Sequence, residues 1–110
     1  MRKFPTGATR DVEEGKLDFE GFFSPLVLKR RAEYMHEHRK QADGQLRASD
    51  NWQKGIPPEV YIKSGWRHFF AWWCHHRWGI MGDFIEDSIC ALMFNAEGYL
   101  DNLLKKRGYK

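Results

Sequence analysis

Five carboxylates fall into two groups whose spacing suits work on a divalent cation. Glu33 and Glu37 stand four residues apart, so on a helix both side chains leave the same face one turn apart. Asp83, Glu86 and Asp87 repeat that pattern at offsets of three and four. Two such groups on facing helices would make an oxygen-rich cage for Mg²⁺ or Mn²⁺, hard cations that prefer carboxylate ligands. The same spacings also describe ordinary features. Glu33 and Glu37 can be solvated charges beside Arg30 and Lys40, and the second group can simply favour a helix start through the macrodipole.

Other residues suit phosphate or base recognition. Arg10, Lys16 and Lys54 offer cations for phosphate, although taken singly each also reads as a surface charge. Trp52, beside Asn51, can stack on a base or anchor its loop. No G-x-x-x-x-G-K-[ST] run exists, which excludes P-loop chemistry as far as a motif can. Cys74-His75-His76 resembles zinc-ligand material, but consecutive helical residues point about 100° apart and cannot converge on one ion. His68, next to Arg67, reads as a core histidine or as a group behind the site. Asn95, among apolar neighbours, needs hydrogen-bond partners, either at a site or within the core.

Three long helices must position these groups. Ser24-Pro25 is a helix start, with Ser as cap and Pro at the first position, and the helix runs to about Lys40. Leu26, Leu28, Ala32 and Met35 form its apolar side. A long connection, 41–57, carries Asn51 and Trp52 and is ordered if the tryptophan packs. Pro57-Pro58-Glu59 opens a second helix to about Trp78, stopped by Gly79, with a stripe of Val60, Ile62, Trp66, Phe69, Phe70 and Trp73. A third begins at Gly82-Asp83, with Asp83 as cap, and reaches about Arg107 before Gly108. No β-alternation or hairpin signal appears, so the fold class is all-α. Residues 1–24 read as an irregular arm whose Phe19, Phe22 and Phe23 pack on the body.

Length and charge limit the alternatives. At 110 residues the chain suits a single domain, 1–110, made of the arm and a helical body at 25–107. Three helices give a thin core and the apolar faces are wide, so a homo-oligomer, dimer or tetramer, is expected to cover the surplus. No apolar run approaches 20 residues and Met1–Pro5 lacks a secretion signal, which points to the cytoplasm and to no membrane partner. Two cysteines, Cys74 and Cys90, suit buried thiols better than a disulfide. Net charge is only +3, less than the +4 of Lys105, Lys106, Arg107 and Lys110, which argues against nucleic acid as the partner.

Gly7-Ala8-Thr9-Arg10-Asp11…Glu14-Gly15-Lys16, Asp50-Asn51-Trp52-Gln53-Lys54-Gly55-Ile56-Pro57, Arg67-His68 and Glu86-Asp87…Asn95-Ala96 together resemble a known pattern. They look like the phage-type dATP/dGTP diphosphohydrolase N-terminal domain, related to the MazG-like all-α nucleotide pyrophosphohydrolases. The resemblance runs from about Gly7 to Leu104. It implies a metal-dependent hydrolase that splits a purine deoxynucleoside triphosphate, dGTP or dATP, into monophosphate and pyrophosphate. It further implies Mg²⁺ or Mn²⁺ on Glu33, Glu37, Asp83, Glu86 and Asp87, with Glu37 and Glu86 as catalytic carboxylates. Arg10, Lys16, Asn51, Trp52, Lys54, His68 and Asn95 would then contact substrate. The chain departs from the MazG pattern at Ala32, which stands where the first Glu is expected; on the third helix the nearest match is Asp83-x-x-Glu86. Two other readings stay open: a non-enzymatic helical module that binds nucleic acid or a protein partner, and a nucleotide binder without catalysis.

Overall fold

A computed structural model describes residues 2–12, 14–79 and 84–110. Within them the chain is all-α apart from a small ribbon in the arm. The elements are β1 (Arg2–Lys3), β2 (Thr9–Arg10), α1 (Phe19–Phe22), α2 (Pro25–Glu37), a 3-10 turn at Asn51–Lys54, α3 (Pro58–Trp78) and α4 (Ile85–Lys106).

Local chemistry sets the helix ends. Ser24 Oγ accepts the Val27 amide at 3.2 Å, and Pro25 occupies the first position, where its missing N–H is no loss. Gly79 ends α3 in the left-handed region at φ 67°, donating its N–H to His75 O at 2.7 Å. The expected cap at Asp83 lies outside the described residues. α2 stops at Glu37, short of Lys40, because the following chain finds other partners. Arg47 N–H donates to Arg39 O at 2.8 Å, Arg39 Nε donates to Arg47 O at 2.7 Å, and Lys40 bridges Leu46. Gly44, at φ 84°, allows the turn between them.

The arm differs from expectation in two respects. β1 and β2 pair antiparallel, Arg2 opposite Arg10 and Lys3 opposite Thr9, where no hairpin was expected. Strands of two residues are too short to leave an alternation in the sequence. The expected packing of the arm aromatics on the body is also not found. Phe19, Phe22 and Phe23 lie on or beside α1, which Asp18 caps, and they are 67%, 77% and 67% exposed.

The centre of the fold is an antiparallel pair, α3 on α4. Tyr61 meets Phe94 and Gly98, and Ser64 and Gly65 meet Asn95. Small residues make this contact: Gly65 and Cys74 on α3, and Ser88, Cys90, Ala91 and Gly98 on α4, all buried. Both cysteines are free thiols. A Cβ at Gly98 would overlap the Tyr61 ring, so glycine there lets the aromatic lie against the α4 backbone. Asn95 sits within the contact, donating from Nδ2 to Ala91 O at 2.7 Å and to Ser64 Oγ at 3.2 Å.

The larger apolar side chains face outward. Leu26 and Leu28 of α2, and Trp66, Phe70 and Trp73 of α3, are each more than half exposed. The expected stripes therefore do not form the core of the single chain; a stripe shows which face needs cover and not which neighbour supplies it. The chain exposes 9562 Å², against about 6,400 Å² for a compact monomer of 13.1 kDa. Its radius of gyration is 19.1 Å, where about 13 Å is typical of this length. No helix among the described residues is long and apolar enough to cross a membrane.

Candidate functional site where α2 crosses α4

α2 reaches the start of α4 through one side chain. Arg30 donates from Nε to Glu86 Oε1 at 2.8 Å and from Nη2 to Asp87 Oδ1 at 2.7 Å. The two carboxylates, Glu86 first, hold the guanidinium still more firmly protonated than usual. Glu33 and Glu37 follow Arg30 at three and seven residues, on the same flank of α2, and both are exposed. Neither forms an ion pair among the described residues. A second bridge, Arg31 Nη2 to Glu97 Oε1 at 2.8 Å, ties the other flank of α2 farther along α4.

All the donors that these acids offer are carboxylate oxygens, which is the chemistry Mg²⁺ and Mn²⁺ take, and Glu86 with Asp87 already holds one cation, the Arg30 guanidinium. Among the described residues, no three acidic, histidine or cysteine side chains converge as a ready-made cage. Glu33 and Glu37 are near in sequence to the clamp without joining it. Asp83 lies outside the described residues.

Beside this junction lies a cleft of about 290 Å³ between the end of α2 and the loop that follows. Tyr34, His38 and Arg39 line one side, Arg47, Asn51 and Trp52 the other, and Phe94 of α4 closes it. Tyr34 stacks on His38 with ring centroids 4.0 Å apart. Tyr34 lines the cleft, and its hydroxyl is pushed up in pKa by burial and further by the charge of Asp87. Trp52 sets its edge on Phe94 at 6.2 Å and has Lys105 Nζ 5.9 Å from its ring centroid. It therefore anchors the loop and lines the cleft together. Asn102 secures the same loop by donating to Ile56 O at 3.0 Å.

His68 of α3 is half-buried, and its pKa is lowered, first by burial, then by Arg67, then by His38. Of the expected substrate contacts, Asn51 and Trp52 line the cleft. Asn95 is buried with partners inside the α3–α4 contact. Arg10 lies in β2, Lys16 in the arm and Lys54 at the end of the 3-10 turn; all three are exposed and none lines this cleft.

Sequence reasoning missed Tyr34, His38, Arg39 and Arg47. Two signals were present: an aromatic and a histidine four residues apart, and two arginines flanking the Gly44 turn. No family model, curated protein or solved structure matches this chain.

Proposed function

We propose that the protein is a MazG-like nucleoside triphosphate pyrophosphohydrolase that converts dGTP or dATP to the monophosphate and pyrophosphate. The observation that supports this reading most directly is the Arg30 clamp. It ties Arg30, which shares a flank of α2 with Glu33 and Glu37, to Glu86 and Asp87 at the start of α4. On this reading Glu33, Glu37, Glu86 and Asp87, with Asp83, would hold Mg²⁺ or Mn²⁺, which would supply phosphate-charge neutralisation and a more acidic water. Glu37 and Glu86 would orient the attacking water. Arg30, released from the two acids, offers its guanidinium to a phosphate oxygen, and Trp52 and Asn51 meet the base or sugar.

The working unit is a homo-oligomer of two or four chains in the cytoplasm. The surplus of exposed surface supports association, being on the scale that obligate oligomers bury. Incubating the purified protein with each deoxynucleoside triphosphate and Mn²⁺, then separating products by chromatography, tests the reaction. Monophosphate with pyrophosphate, abolished by EDTA, is expected. Orthophosphate with diphosphate, or no turnover of either purine, overturns the reading.

A further inference from the structure

We infer that the groove across the C-terminal end of α2 grips polyphosphate, with Arg39 and Arg47 as the cations that hold the chain of phosphates. The inference rests on the nucleotide reading above and deepens it, because it moves phosphate recognition away from the arm residues Arg10 and Lys16.

Three observations carry it. The 290 Å³ cleft adjoins a second of about 330 Å³, and Met35, Arg39 and Ser49 line both. Together they have the size of a small-molecule site, mostly apolar with a few polar groups. The groove also carries net positive charge. Arg31, Arg39 and Arg47 line it against a single acid, Glu97, which is paired with Arg31. Finally, the groove contains an unmet donor. Arg31 Nε is buried without a hydrogen-bond partner among the described residues, a state that costs free energy until an acceptor arrives.

The division of labour follows from which atoms are free. Arg39 commits Nε to Arg47 O, which fixes its side chain and leaves its terminal nitrogens for a ligand. Arg47 uses only backbone atoms in that loop, so its whole guanidinium is available. Guanidinium groups held this way bind phosphate oxygens in bidentate fashion. Trp52 and Phe94, which line the same cleft, offer an aromatic surface for a base. A triphosphate on the two arginines and a purine on the aromatic rings would share that groove.

Calorimetric titration with inorganic tripolyphosphate, and with a non-hydrolysable α,β-imido deoxynucleotide, tests this without turnover. The wild-type chain should bind both, more weakly as salt rises. Arg47→Ala and Arg39→Ala should each weaken binding by about tenfold or more, Arg39→Lys should recover part of the loss, and Lys29→Ala should leave affinity unchanged. Circular dichroism confirms that each variant is folded, and Arg47→Gln serves if Arg47→Ala is not. Affinities of both arginine variants within twofold of wild type overturn the grip, even if the enzyme hydrolyses nucleotides normally. Tight tripolyphosphate binding lost in both variants, with no hydrolysis of any nucleotide, supports the grip and overturns the hydrolase reading instead.

Discussion

Replacing Gly98 by alanine should destabilise the protein, whereas the same change at Gly65 should stabilise it. In a helix interior, alanine is favoured over glycine by about 1 kcal/mol. At Gly65 the new methyl group would sit 3.7 Å from Asn95 Cβ and 3.9 Å from Leu92 Cδ1, ordinary contacts that cost nothing. The propensity gain survives, and Tm should rise by about 4 °C, using about 4 °C per kcal/mol for this size. At Gly98 the methyl group would overlap the Tyr61 ring and hydroxyl, and that ring is only 2% exposed, so it cannot swing into solvent. Overpacking of this kind costs about 1–3 kcal/mol. Taking the upper end, because both the ring and a backbone are involved, the net loss is about 2 kcal/mol, or roughly 8 °C. Thermal melts followed by circular dichroism at one fixed protein concentration measure both changes, since an associating chain melts in a concentration-dependent way. Tyr61→Leu combined with Gly98→Ala should restore part of the loss, giving a coupling of about 1–3 kcal/mol. A Gly98→Ala protein as stable as Gly65→Ala would refute the close approach of Tyr61 to α4.

On the proposed hydrolase reading, Glu37→Gln should lower turnover at least about a hundredfold while shifting stability by less than about 0.5 kcal/mol, because the side chain is exposed; steady-state kinetics and a melt on one sample check both. Stability should fall as the pH drops below about 6.5, since burial lowers the pKa of His68 in the folded state and the unfolded chain takes up its proton first. In His68→Gln, urea titrations at pH 7.5 and 5.5 should differ less than in wild type. Sedimentation should give a mass of at least twice 13.1 kDa, and Trp66→Glu, at a residue 67% exposed in the single chain, should lower it. Thiol reagents should leave Cys90 unmodified in the native state, because the residue is buried and its thiol pKa is raised chiefly by that burial.

The helices were readable because their ends carry local signals that do not depend on the rest of the fold. Ser24-Pro25, Pro58 and Gly79 act within four residues of themselves, and the structure uses each as its chemistry dictates. The core was not readable in the same way. Periodicity marked Trp66, Phe70 and Trp73 as the buried face of α3, yet the contact with α4 uses Tyr61, Gly65 and Cys74. Glycine and serine carry no hydropathy signal, although they decide how closely two backbones approach. The acidic groups were legible as groups, but the Arg30 clamp was not, since it joins residues 56 and 57 positions apart. Arg39 and Arg47 left only the Gly44 turn between them as a signal, because a loop, not a helical repeat, brings them together.

Asn95 has a consequence for uniqueness rather than strength. Sliding one helix past the other by a pitch of about 5.4 Å would carry the Tyr61 ring off Gly98 and onto a residue with a Cβ, so shape already opposes it. The amide adds a polar constraint: the same shift would break its hydrogen bond to Ser64 Oγ on α3, while the bond to Ala91 O, made within α4, would persist. Leucine at 95 would remove that second constraint and leave the Tyr61–Gly98 contact alone to fix the alignment.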